Sequence, residues 1–417
     1  MSPNLLQFGD WETWQSLKWG LVLFFFFAFG ACAGSFLNVV IYRLPLGMSV
    51  VNPPSRCPRC ALRLKWFQNL PVFSWLLLRG RCRACRVPIS IQYPAVELLC
   101  GLLIAGLAAL LYLVSPGNYW SAVGGDWWLA LGFAGSWPAF VCWGCALLGL
   151  LAMLVIDART FLIPIEIPFW ITLVCWVFWG VQGLMPEAPL LNGFFPIPSF
   201  GWAGTLAAFG GLAGVLLGVG LLKTGVLRYS FSDYEQYLED GAVLADYPYA
   251  RREMGLEVLF LLPCMCGITL GWFVGIGISG YPSPFFALLG GSIGGWLIAG
   301  ALVWVVRILG TLAFGREAMG MGDVHLLAAM GAAFGWIDPV VAFFIAPFFG
   351  LLWVLLGAFG GKVLKGLGHE LPYGPHLALA LFVVVFLKPV VIDLGQWFLP
   401  GIQSASTIRL AEIPPSD

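Results

Sequence analysis

Long apolar stretches recur along this 417-residue chain and leave it few ways to fold. Hydrophobic residues make up 60% of the sequence and charged residues only 10%, a balance far outside that of soluble proteins. Because a bilayer core of roughly 30 Å needs about 20 apolar residues in a helix, the pattern predicts an all-α, polytopic membrane helix bundle of nine or ten spans. The lower count applies if the short stretch 326–336 pairs with the next one as a broken hairpin. The predicted spans are residues 19–40, 94–114, 138–156, 167–184, 203–222, 256–278, 285–309, 326–336, 340–363 and 374–398.

The positions of the lysines and arginines indicate the orientation of these spans. If the first long loop faces the cytoplasm, 18 of the 21 Lys and Arg residues lie on its side, and only Lys18, Lys388 and Arg409 lie outside. Cytoplasmic loops are enriched in these residues, so we expect a multi-pass protein with both termini outside. The formal net charge is zero, and without a global basic field nucleic acid is not an expected partner.

Two aspartates interrupt the apolar sequence at the same predicted depth, the cytoplasmic edge of the membrane. Asp157 ends one apolar run, and Asp323 ends the tetrapeptide Gly320-Met321-Gly322-Asp323. Each has a simpler interpretation, since Asp323 suits a helix N-cap and Asp157 suits a solvated pair with Arg159. A carboxylate beside hydrocarbon is costly, however, and two neighbouring carboxylates share a proton, which supplies one acid and one base. The pair therefore predicts a catalytic dyad that activates water for peptide hydrolysis.

Four cysteines in the first predicted cytoplasmic loop form a second chemical motif. Cys57 and Cys60 are followed, after 21 intervening residues, by Cys82 and Cys85, and each pair has the two-residue spacing of a metal knuckle. Four thiolates complete the tetrahedral shell of Zn²⁺ and leave no open position, which indicates a structural site. Disulfides are the alternative, but they are reduced in the cytoplasm. The further pair Cys142 and Cys145 lies in an apolar span and is predicted only to pack.

Six motifs together resemble those of the bacterial type IV prepilin peptidases, leader peptidase/N-methyltransferases of the Gly-x-Gly-Asp class of membrane aspartic proteases. They follow that family's order along the chain. They comprise residues 34–45, both cysteine pairs with Asn69-Leu70-Pro71 between them, residues 93–98, residues 156–160 with Ile163-Pro164, residues 317–325 and residues 371–375.

The resemblance implies a specific activity. Members of the family remove the leader of type IV prepilins and type II secretion pseudopilins at the cytoplasmic face of the inner membrane. Many then methylate the new amino terminus with S-adenosyl-L-methionine. The family's catalytic aspartates match Asp157 and Asp323, and its loop cysteines, associated with methyl transfer, match the four cysteines above. No Gly-x-Gly-x-x-Gly motif is present, so no Rossmann-type site for the methyl donor is predicted.

The same matches suggest a division of the chain. We expect an outside N-terminus and first span at 1–42, a cytoplasmic four-cysteine domain at 43–93, a membrane peptidase domain at 94–400 and a C-terminal tail at 401–417. The peptidase part departs from the family in two respects.

The first departure is Glu166, which occupies a position that is usually Asp or Asn. The second is the 166-residue interval between the aspartates, which adds two spans around a polar loop at 223–255. That loop could contact a prepilin or an assembly protein, but a solvated linker is the favoured interpretation. A polytopic transporter or a zinc-dependent scaffold without protease activity remains the alternative function, although transporters bind near the bilayer midplane and often contain repeats.

Overall fold

The computed structural model describes residues 7–57, 59–125, 127–185, 198–237, 247–359 and 373–398. Several predictions fall outside these ranges. They concern Pro58 of the first cysteine knuckle, part of the 223–255 loop, the first two residues of the 371–375 motif and the tail at 401–417.

The described residues fold into α-helices, and the only strand-type pairing among them is two isolated bridges in the cysteine loop. The helices are α1 Gln7–Arg43, α2 Phe73–Leu77, α3 Gln92–Tyr112, α4 Trp127–Thr160, α5 Glu166–Gly183, α6 Trp202–Lys223, α7 Ala250–Ile276, α8 Pro284–Phe314, α9 Met321–Phe334, α10 Ile337–Phe359, α11 Tyr373–Phe386 and α12 Lys388–Phe398.

Every predicted span coincides with a helix or a bent helix pair. Seven helices in the described ranges are long and apolar enough to cross a membrane, and α11 with α12 makes up to eight. These two helices meet at 95°, where Pro389 follows the junction and cannot donate a backbone hydrogen bond to continue α11. The predicted membrane helix bundle is therefore confirmed.

The chain divides into two compact units, residues 1–121 and 122–417. In the first unit, α1 packs along α3 through small residues. A Cβ added to Gly30 would lie 2.6 Å from the carbonyl oxygen of Cys100, which shows how closely the two backbones approach. Such small-residue contacts are typical of helix pairs in membranes.

In the second unit, the short helix α9 is surrounded by the other helices. Its residues from Leu326 to Phe334 are all buried. Ser292 of α8 and Trp179 of α5 donate hydrogen bonds to the carbonyls of Ala332 and Ala333, at 2.6 and 3.2 Å. Because these neighbours fix α9, Asp323 in its first turn has a defined position.

A buried ion pair joins α10 to α12. Lys388 Nζ lies 2.7 Å from Asp338 Oδ2, and both residues are 2% exposed. The same ammonium lies 5.8 Å from the ring centroid of Trp143 on α4. Lys388, which the charge pattern assigned to the outside, is thus buried and ties three helices together.

The helices α6 and α7 pack closely together as a hairpin in the second unit. A Cβ on Gly210 would lie 2.1 Å from the carbonyl oxygen of Gly267, a distance that no real Cβ tolerates. Gly220 lies on the same helix but faces open space, because a Cβ added there would have no atom of another helix within 4 Å.

These two glycines provide a matched test of the hairpin packing. We expect Gly210→Ala to lower the thermal unfolding temperature in detergent, because overpacking costs typically about 1–3 kcal/mol. Gly220→Ala should leave it unchanged or raise it, since Ala favours a helix over Gly by about 1 kcal/mol. Equal unfolding temperatures for the two variants would contradict the close contact.

Candidate active site and metal centre

Asp157 lies in the last turn of α4. It is 5% exposed. The helix ends immediately afterwards, where the N–H of Phe161 donates to the Asp157 carbonyl at 3.0 Å and Phe161 adopts a left-handed φ of 55°. The carboxylate is therefore held at a helix end while remaining largely shielded from solvent.

Asp323 lies in the first turn of α9 and is 9% exposed. The N-cap of this helix is Gly320, and no side chain forms the capping hydrogen bond. The alternative that Asp323 serves as the N-cap is therefore wrong. A Cβ on Gly322 would lie 3.0 Å from Cβ of Ile163, so the glycine-rich turn packs against the segment that follows α4.

The two carboxylates converge on Gly374, at the start of α11. A Cβ on Gly374 would lie 2.2 Å from Asp157 Oδ2 and 3.2 Å from Asp323 Oδ1. The two oxygens are thus no farther apart than the sum of these distances, and both carboxylates approach the same backbone position. Tyr373, beside this glycine, donates to the Phe343 carbonyl at 2.9 Å and so fixes the first turn of α11.

Gly374 is a site residue to which the sequence assigned no role. Its motif matched the family pattern, but nothing in the sequence indicated that its backbone would contact both aspartates. Glu166, the residue that departs from the family pattern, begins α5 and is exposed.

The four loop cysteines come together in the first unit. The sulfur atoms of Cys57, Cys60, Cys82 and Cys85 all lie within 4.8 Å of one another, and Cys57 and Cys85 are 3.8 Å apart. Four sulfurs placed about 2.3 Å from one tetrahedral ion would be about 3.8 Å apart. The predicted cluster is therefore confirmed as a group that could hold a metal ion.

The two cysteine pairs have the same local backbone. The N–H of Cys57 donates to the Leu62 carbonyl at 3.0 Å, and the N–H of Cys82 donates to the Val87 carbonyl at 2.9 Å. In each pair the residue after the second cysteine, Ala61 or Arg86, is left-handed, with a φ of 54° or 58°. Because the same tight turn occurs in both pairs, the two thiols of each pair point to the same side.

The turn geometry also favours thiolates. The backbone N–H of Cys60 lowers the pKa of the Cys57 thiol to about 6, and those of Cys85 and Ala84 lower the pKa of Cys82. The N–H of Leu62 acts in the same direction on Cys60, but desolvation and the neighbouring thiols raise the pKa of that thiol to about 11. The thiolate is the form that binds metals.

Motif residues of α1 and α3 support this loop. Glu97 Oε2 accepts a hydrogen bond of 2.7 Å from the N–H of Val72, at the start of α2. Asn38 Nδ2 donates to the carbonyl of Tyr93 at 3.0 Å. Glu97 of the 93–98 motif thus joins the cysteine loop to α3, and Asn38 of the 34–45 motif joins α1 to the start of α3.

Comparison with known proteins supports the resemblance seen in the motifs. Residues 28–111 match the family model of the bacterial peptidase A24 N-terminal domain. A prepilin leader peptidase/N-methyltransferase of Myxococcus xanthus is 63% identical over 79 residues, which cover 19% of this chain and 24% of that protein. The protein of the same name from Aeromonas hydrophila is 26% identical over 418 residues, covering 93% of this chain and 97% of its own length. The one from Pseudomonas putida is 27% identical, covering 85% and 87%.

No solved structure matches the chain. The sequence relatives nevertheless extend over both compact units, far beyond the N-terminal family model. The resemblance seen in the motifs is confirmed, and the chain is similar along nearly its whole length to proteins named prepilin leader peptidase/N-methyltransferase.

Proposed function

We propose that this protein is a membrane aspartic endopeptidase that removes the leader of type IV prepilins or pseudopilins and methylates the new amino terminus. The observation that carries the proposal is the convergence of Asp157 and Asp323 on one glycine. The names of the relatives supply the two activities. The Lys and Arg distribution supports a site at the cytoplasmic face of the inner membrane.

The dyad suggests a direct mechanism. One aspartate is ionised and takes a proton from a water molecule, which then attacks the carbonyl carbon of the scissile peptide bond. The other aspartate is protonated and gives its proton to the leaving nitrogen as the C–N bond breaks. The two aspartates thus exchange protonation states during each turnover, and both are largely shielded from solvent.

The cysteine cluster is proposed to hold a structural Zn²⁺. Cys57, Cys60, Cys82 and Cys85 provide the four-sulfur set that zinc prefers, which leaves no position for a catalytic water. We place this site in a functional domain at 43–93, with the peptidase at 94–400. S-Adenosyl-L-methionine, when bound, would supply the methyl group for the amine exposed by cleavage.

The first prediction concerns the dyad. Asp157→Asn and Asp323→Asn should each lower the rate of leader cleavage at least about 100-fold, because an amide can serve neither as base nor as acid. The measurement is cleavage of a purified prepilin by the protein in detergent or lipid. Asp393→Asn, at an exposed position of α12, is the matched control and should cleave normally. Normal cleavage by either dyad variant, correctly inserted, would refute the assignment.

The second prediction concerns the metal. Elemental analysis of the purified protein should give one zinc per chain, and Cys57→Ser or Cys82→Ser should lower that content strongly because a tetrahedral site then lacks a ligand. Cys32→Ser changes an exposed thiol of α1 outside the cluster and should retain the zinc. Absence of zinc together with free alkylation of the loop thiols under native conditions would exclude the site.

The third prediction separates the two activities. The dyad lies on the helices of the second unit and the cysteines lie in a loop of the first. Changing Cys82 and Cys85 together to Ser should therefore impair methylation of a pre-cleaved pilin far more than cleavage. Asp323→Asn should still methylate that substrate, which a labelled methyl donor would reveal. An equal loss of both activities in the folded cysteine variant would indicate that the loop also serves cleavage.

A further inference from the structure

The α6–α7 hairpin brings two carboxylates into the interior of the second unit. Glu253 and Glu257 lie in the first two turns of α7 and are only 1% and 3% exposed. A solvated linker would not bury acidic groups, because burial of an unpaired charge is costly. Their partners indicate what the hairpin does.

Glu257 binds Arg307 of α8 through both of its oxygens. Arg307 Nε lies 3.2 and 3.3 Å from the two oxygens, and Nη2 lies 3.1 Å from Oε1. Trp304 Nε1 donates to Oε2 at 2.8 Å. Arg307 is 2% exposed, and this fork-like pairing fixes the plane of its guanidinium.

The remaining nitrogen of Arg307 reaches the segment before the catalytic turn. Arg307 Nη1 donates to the carboxylate of Glu317 and to the backbone carbonyl of Met319. Met319 directly precedes Gly320, the N-cap of the helix that carries Asp323. One arginine thus connects an acidic residue of the hairpin to the main chain that positions a catalytic carboxylate.

The polar segment of the hairpin covers the other side of this arginine. The ring centroid of Phe231 lies 5.3 Å from Arg307 Cζ, a cation–π distance. The N–H of Phe231 donates to Glu253 at 3.0 Å, and Arg228 pairs with the same carboxylate at 3.0 Å. The segment for which the sequence favoured a solvated linker is thereby attached to the same charged cluster.

A further contact from the hairpin supports the end of α8. Arg251 donates from Nε and Nη2 to the carbonyls of Leu312 and Ala313, at 2.9 and 3.2 Å. The N–H of Ala318 donates to Thr311 Oγ1 at 3.2 Å. The hairpin therefore contacts the α8 end of the α8–α9 connection directly, and it acts on the α9 end through Arg307.

We propose that the α6–α7 hairpin is a positioning element of the peptidase, in which Glu257 orients Arg307 and Arg307 holds the Met319 carbonyl so that Asp323 points towards Gly374 and Asp157. The inference rests on the proposed peptidase function for its kinetic consequences only. The ordering of residues 315–322 by the hairpin follows from the contacts themselves and is measurable without a substrate.

The test combines amide hydrogen exchange with kinetics on the full-length protein. In Arg307→Gln and Glu257→Gln, the hydrogen-bonded amides within residues 315–322, those of Gly315 and Ala318, should exchange at least about tenfold faster than in the wild type, because their exchange depends on a local opening that the Glu257–Arg307 contacts suppress. Cleavage of a prepilin should show a kcat lowered about 10- to 100-fold, with KM changed less than about twofold, since alignment and not substrate binding is lost. Arg307→Lys keeps the positive charge but loses the two-pronged guanidinium, so its exchange rates and its kcat should lie between those of the wild type and Arg307→Gln.

Asp338→Asn provides the matched control, because it disrupts a separate buried ion pair of the second unit. It should lower the unfolding temperature while leaving both kcat and the exchange of residues 315–322 unchanged. If Arg307→Gln does not fold, Glu317→Gln replaces it, since Glu317 contacts the same guanidinium from a side chain that is 33% exposed.

Two results would overturn the proposal. One is wild-type exchange of residues 315–322 in folded Glu257→Gln and in the folded Arg307 or Glu317 variant. The other is accelerated exchange of these residues in Asp338→Asn as well, which would show that the contacts of Arg307 stabilise the fold in general and do not specifically order this segment. A wild-type protein that fails to cleave any prepilin would refute the proposed function, while the exchange measurements would still decide the role of the hairpin.

Discussion

The organisation of the second unit depends on the cost of an unpaired charge among apolar side chains. Two buried acidic residues, Glu257 and Asp338, each contact a buried basic partner on another helix. In the cysteine loop a bound cation would have the corresponding role, since four thiols converge there and backbone N–H groups lower the pKa of two of them, Cys57 and Cys82.

The two aspartates of the proposed dyad differ from these paired residues. Within the described ranges neither Asp157 nor Asp323 forms a salt bridge, although both are nearly as buried as the paired residues. They face each other across a glycine instead. A structural carboxylate is best stabilised by a cation, whereas a catalytic pair must keep one proton available. The absence of a cationic partner within these ranges therefore distinguishes the proposed catalytic carboxylates from the structural ones in this chain.

Local patterns in the sequence predicted the features that depend on neighbouring residues. Apolar length predicted the helices, and the two-residue spacing of the cysteines predicted their cluster because each pair forms its own turn. The similar depth of Asp157 and Asp323 followed from the span pattern. The contact of both with Gly374 did not, because it requires three helices from distant parts of the chain to meet. The burial of Lys388 was missed for the same reason, since its partner Asp338 lies 50 positions earlier. The Glu257–Arg307 pair has the same separation and likewise could not be predicted from local sequence patterns.

That separation has a consequence for biosynthesis. In both buried pairs the acidic residue precedes the basic one by 50 positions, so it leaves the ribosome first. The α7 helix must then enter the membrane with Glu257 still lacking Arg307, and it gains its partner only when α8 is delivered. We therefore expect membrane insertion of the two helices to be coupled. A substitution that weakens the attraction between them should lower the fraction of chains that assemble, in addition to its effect on the chains that do fold.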